Sequence, residues 1–140
     1  MSVATVPSPP ATYARRLRRL LGAGLLGVLA AMAATTLAAA LAEALGVTFE
    51  VPAGSGVPIP LPGFAFVTGV FSVVGVLLAA AFLRWSARPA RRFVRTTVSL
   101  TAVSLVPPLL AEADTATTLA LMGLHLIAAT VMIPVLARRL

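Results

Sequence analysis

The chain has 140 residues, of which 59% are hydrophobic and 11% charged, with eleven basic residues (all Arg), four acidic residues and a net charge of +7. Its mean hydropathy of +1.01 lies far above that of an ordinary soluble domain, and the apolar residues come in long runs rather than at amphipathic spacing, so lipid is the expected solvent. The absence of cysteine excludes disulfides, thiolate metal sites and thiol redox chemistry. The positive charge does not point to nucleic acid, because it is sorted along the chain rather than spread over one face.

Residues 1–19 read as a basic, disordered cytoplasmic tail. Met1 to Tyr13 has Pro7, Pro9 and Pro10 among Ser and Thr and no apolar periodicity. Arg15, Arg16, Arg18 and Arg19 follow just before the membrane, where anionic headgroups attract each by about 1 kcal/mol. Residues 20–140 then read as a four-span membrane domain.

The first span, Leu20 to Leu45, is uncharged until Glu43 and long enough for about 30 Å of hydrocarbon. Ala23-xxx-Gly27 and Gly27-xxx-Ala31 keep one face thin enough for close approach of another helix. A rival reading takes the basic start, the apolar run and Ala40-Leu41-Ala42 as a cleaved secretory signal, which would leave three helices in the same orientation. The apolar run is longer than the usual signal core and favours an uncleaved span.

Gly46 to Gly63 is too rich in Pro and Gly to continue a helix. Val47–Val51 and Val57–Leu61 flank Pro52 to Gly56 and predict a small hairpin over the helix ends, with Phe49 and Glu50 exposed. An ordered cap and a lid or partner-docking surface are both compatible with that pattern. The second span, Phe64 to Leu83, is uncharged and carries a stripe of Thr68, Gly69, Ser72 and Gly75 suited to helix contact. Trp85 follows at the interface.

The turn RWSARPARRFVR, residues 84–95, holds five arginines, including Arg88, Arg91 and Arg92. The third span, Phe93 to Leu110, is the least apolar and is expected to face protein, its Ser and Thr hydroxyls available to a neighbouring helix. Pro107 and Pro108 deprive the carbonyls of Val103 and Ser104 of donors, so the helix should kink or end there. The short AEAD connection makes the third and fourth spans antiparallel neighbours. Asp114 is placed to cap the fourth span, Thr115 to Ala137.

The sorting of charge sets the topology. Every arginine falls on one side of the spans and Glu43, Glu50, Glu112 and Asp114 fall on the other, so both termini are expected in the cytoplasm. The fold class is therefore an all-α four-helix transmembrane bundle, with the loop between the first two helices outside. Lipid is its first partner, with anionic headgroups at Arg15, Arg16, Arg18, Arg19, Arg88, Arg91 and Arg92. A protein partner or a second copy is a further expectation.

His125 lies about 16 Å beyond the Asp114 cap, near the bilayer midplane, where an ionisable side chain is a functional candidate by default. Three roles are open to it: an imidazole bonded to the third helix, a proton relay, and ligation of a metal or haem with Met122 or Met132. A single His without a second strong ligand is a weak metal signal, so no metal or cofactor is assigned. No catalytic residue is assigned either.

The segments E-A-D-T-A-T, L-H-L and I-P-V-L-A-R-R-L, with the loop V-P-A-G-S-G-V-P-I-P-L-P, resemble an uncharacterised family of small bacterial four-helix membrane proteins known as a domain of unknown function. The resemblance runs from about Leu20 onward, implies an uncleaved first span and includes Asp114, Thr115 and His125 without giving them a role. It implies no activity. Small multidrug exporters are also short four-helix proteins, but their coupling carboxylate sits inside the first helix, whereas Glu43 lies near its outer end. The functional classes are a structural or interaction protein of the membrane, a small transporter or proton-coupled carrier using His125, and an intramembrane enzyme or cofactor protein.

Overall fold

The computed structural model describes residues 9–140 and is all-α. Its helices are α1 (Pro9–Ala44), α2 (Leu61–Trp85), α3 (Pro89–Ser104), α4 (Val106–Leu110) and α5 (Thr115–Ala137). Four stretches are long and apolar enough to cross a membrane, α3 and α4 together making the third. Each boundary has a local cause. Gly46 adopts φ 100° past the end of α1. Its amide bonds the Glu43 carbonyl while that of Val47 bonds the Ala42 carbonyl, the paired arrangement that closes a helix through a left-handed residue. Prolines near the starts of α2 and α3 cost no helical hydrogen bond. The break at Leu105 falls where Pro107 and Pro108 remove donors, as expected from the sequence.

The first helix departs from the expected tail. It begins at Pro9, so residues 9–19, read from the sequence as disordered, are helical, while residues 1–8 of that tail lie outside the described residues. Ala, Arg and Leu are good helix formers, and the early turns have partners. Tyr13 and Leu17 pack against the core, and the Arg84 guanidinium carbon lies 5.3 Å from the Tyr13 ring centroid.

Packing follows small residues. The buried stripe of α1 is Leu20, Gly24, Gly27, Val28, Ala31, Thr35 and Ala39, the three- and four-residue repeat of one helix face. Gly24 faces Val76 of α2 and Leu136 of α5, and Gly27 faces Met132 and Val135. A β-carbon on Gly24 would stand 2.9 Å from Val76 Cγ2, and one on Gly27 would stand 3.1 Å from Val135 Cγ1. These contacts, with Met32 against Gly69, make α1 antiparallel to both α2 and α5. The helix α3 packs on α2 and α5 and does not reach α1.

The third span reverses one expectation. Phe93 is the only buried residue of α3, so this least apolar helix is also among the least covered by protein. Four of its five hydroxyls, all but that of Thr96, are satisfied along their own helix instead. Thr97 bonds the Phe93 carbonyl at 2.8 Å, Ser99 that of Arg95 at 2.9 Å, Thr101 that of Thr97 at 2.8 Å and Ser104 that of Thr101 at 2.7 Å. A hydroxyl bonded back to its own backbone is tolerated at a lipid-facing position.

Candidate functional site

The bundle has a basic end and an acidic end. Arginines of α1, the α2–α3 turn and the residues after α5 share one end, where Arg16 Nη2 donates to the main-chain oxygen of Leu140 at 2.7 Å. The four acidic residues lie at the other end, in the last turn of α1 and the two connections there.

At the acidic end the α1–α2 connection is folded onto the bundle. The ladder expected between Val47–Val51 and Val57–Leu61 shrinks to one antiparallel bridge, Glu50 with Pro58, and one bond from the Ile59 amide to the Phe49 carbonyl at 3.1 Å. Pro52, Pro58 and Pro60 have no amide to donate, so pairing cannot propagate. Phe49, expected to be exposed, is 0% exposed and meets Phe64 edge to face at 4.8 Å between centroids. Its φ of 52° turns the ring inward onto Ala39 and Leu124. A residue held in this sparsely populated region is justified here by the burial of an aromatic ring.

The acidic candidates separate into distinct local roles. Glu50, half-buried, accepts the Gly54 amide on Oε2 at 3.0 Å and so closes its own turn. Glu112 adopts φ 54°, and its carbonyl accepts the Ala53 amide at 3.0 Å, which ties the two connections together. Asp114 caps α5 as expected, its Oδ1 accepting the Thr117 amide at 2.6 Å. That amide holds the carboxyl below the ordinary aspartate range, and the nearby Thr117 hydroxyl adds to the effect without reaching hydrogen-bond geometry. Glu43 is exposed in the last turn of α1, near the negative end of the helix dipole, and its carboxylate has no partner among the described residues.

His125 sits midway along α5, as the spacing predicts. It does not bond the hydroxyls of α3. Its Nδ1 lies 2.7 Å from the Leu121 carbonyl one turn earlier, in its own helix. A carbonyl only accepts, so Nδ1 carries the proton and a neutral ring leaves its lone pair on Nε2. No hydrogen bond or ion pair joins His125 to Glu43, Asp114 or Ser104, and among the described residues no three His, Asp or Glu side chains gather as a metal set.

One polar contact between helices was not singled out by spacing. Thr35 Oγ1 bonds the Ala31 carbonyl at 2.9 Å and lies 3.0 Å from Thr68 Oγ1, joining α1 to α2 inside the buried stripe. The available signal was the position of Thr35 four residues past Ala31 on the small face, opposite the Thr68 stripe.

The spans, the charged ends and the folded cap define the architecture of a multi-pass membrane protein. A family model described as a family of unknown function, DUF6069, matches residues 15–140, and the chain belongs to that family. No curated protein and no solved structure matches it.

Proposed function

We propose that this protein is a structural or interaction component of the bacterial inner membrane, with both termini cytoplasmic and the cap outside. The observation that carries this reading is the local commitment of the polar groups: Glu50 closes a turn, Asp114 caps a helix and His125 bonds its own backbone. Side chains that work together on a substrate have to converge, and these do not. What the molecule offers instead is apolar helix surface, a folded cap and a ring of arginines. The ring supports the inward orientation of the basic end and contact with anionic headgroups through Arg15, Arg16, Arg18, Arg19, Arg88, Arg91 and Arg92. A partner protein or a second copy would then pack on the lateral faces or the cap.

A proton-coupled carrier is the second reading, favoured by the Nε2 lone pair of His125 at mid-span and by the unpartnered Glu43 carboxylate. Proton flux into liposomes tests the carrier reading in its uncoupled form, a null result leaving substrate-dependent transport as its one surviving version. The interaction reading expects the unchanged protein, His125→Ala and Glu43→Gln all to match empty liposomes between about pH 5 and 8, the range that brackets an ordinary imidazole. Flux above that baseline, abolished in a folded His125→Ala protein, would replace it with the carrier reading. Orientation has its own assay, because the chain has no cysteine. A Cys placed at Ser55 should react with an impermeant maleimide from outside intact cells, and one at Ala87 should not; the opposite pattern would reverse the topology.

A further inference from the structure

We propose that the groove between α1 and α5 at the basic end binds one phospholipid with an anionic headgroup, its phosphate held by Arg19 and Arg139 and an acyl chain lying along Ala23 and Ala30, beside the contact of Gly27 with α5. The groove has a volume of about 420 Å³ and is otherwise walled by Leu26 and Val135. Its shape comes from the packing of the bundle. Gly27 is pressed against Met132 and Val135 of α5, and methyl groups at positions 23 and 30 leave a slit beside that contact rather than filling it. The wall is lipid-facing, since Leu26 is 70% exposed.

Charge fixes the chemistry of the occupant. Arg19 belongs to α1 and Arg139 to the turn after α5, and both residues line the same groove. Neither side chain has a hydrogen-bond or ion-pair partner among the described residues, and every carboxylate of Glu and Asp lies at the far end of the bundle. Two uncompensated planar forks beside an apolar slit fit a phosphate diester that carries hydrocarbon. Length agrees with this: from Arg19 to Ala30 is about 16 Å along a helix, close to half of the roughly 30 Å hydrocarbon thickness, so the groove spans one leaflet with its charges at headgroup depth. A second copy in the same orientation would set its own arginines against these two, which disfavours it as the occupant. The groove between α2 and α3 is a useful contrast, with about 280 Å³ beside Leu78, Phe82 and Trp85 and one arginine, Arg92.

Native mass spectrometry of the full chain in detergent tests the proposal, titrating phosphatidylglycerol and phosphatidylcholine of identical acyl chains. Phosphatidylglycerol should be retained about tenfold more tightly. Combining Arg19→Gln with Arg139→Gln should abolish that preference, while Arg15→Gln with Arg91→Gln, which removes equal charge elsewhere, should leave it nearly intact. Filling the slit with Ala30→Phe should weaken phosphatidylglycerol binding with no change of charge. Far-UV circular dichroism verifies that each variant is folded, and all the substituted positions are exposed. The proposal is overturned if the two lipids bind alike or if both arginine pairs weaken binding equally, the mark of a diffuse basic belt. Displacement of the lipid by inorganic phosphate, or a bound second chain in place of lipid, would overturn it as well.

Discussion

Replacing Gly24 with alanine puts a β-carbon 2.9 Å from Val76 Cγ2, 3.1 Å from Val76 Cγ1 and 3.4 Å from Leu136 Cδ2. Something has to move, and neither neighbour moves easily. Val76 is branched at Cβ and holds one strongly preferred rotamer in a helix, and the two residues are 8% and 0% exposed. The strain therefore falls on the spacing between α1 and its two neighbours. Overpacking of this kind costs about 1–3 kcal/mol, offset by the gain of about 1 kcal/mol from alanine over glycine in a helix. The expected net loss is about 0–2 kcal/mol. Gly22, in the same helix, has nothing within 4 Å of an added β-carbon, so Gly22→Ala receives the gain alone. The helix-propensity contribution cancels between the two variants, and their difference, about 1–3 kcal/mol, is the overpacking cost itself. Reversible unfolding in mixed detergent micelles, followed by far-UV circular dichroism, measures that difference. Equal stability of the two would refute the claim that α1 packs on α2 and α5 through its glycines.

Other regions yield sharper, smaller tests. A double-mutant cycle of Thr35→Val and Thr68→Val should give a coupling of about 0.6 kcal/mol, typical of hydrogen bonds between membrane helices; zero coupling would mean that the two hydroxyls are merely adjacent. Phe49→Ala empties a closed aromatic site, a change worth about 3–5 kcal/mol in a packed core, and should release the connection 46–60 to protease in the native state while leaving the helices folded. Continued protease resistance there would show that the cap is held by its backbone bonds alone. The Asp114 cap has a defined pH response. Its carboxyl sits lower when folded than when unfolded, so its contribution is complete at neutral pH and is lost as acid protonates the folded group. Protection of the Thr117 amide from exchange, corrected for intrinsic rates, should therefore fall in acid for the unchanged chain and stay level in Asp114→Asn. The same acid response in both proteins would remove Asp114 as its source.

The spans and their order were legible because hydrophobic length and Arg placement are properties of the chain itself, and the Asp114 cap was legible because its acceptor and donor lie three residues apart. The family resemblance drawn from the C-terminal segments and the loop agrees with the family match. What stayed hidden depends on partners distant in sequence. Phe49 reads as an exposed loop residue until Phe64 and Leu124 are seen beneath it. The helical start of α1 depends partly on a ring waiting for Arg84. Hydroxyl content misled for α3, because a Ser or Thr can be satisfied by its own preceding turn as well as by a neighbour. The same ambiguity surrounds His125, whose Leu121 acceptor is one turn away and leaves no mark in composition.

The glycine notches of α1 also bear on how the molecule is made. Gly24 is filled by Val76 of α2 together with Leu136 of α5, whereas Gly27 is filled by Val135 and Met132 alone, side chains of the helix synthesised last among those described. Transmembrane helices insert singly and then associate, so α1 and α2 can pair early and bring Val76 onto Gly24, but the Gly27 notch stays open to lipid tails until α5 enters the bilayer. Maturation of the bundle is thus an exchange of acyl chains for aliphatic side chains at the α1 surface, and tight packing is a late event of biogenesis.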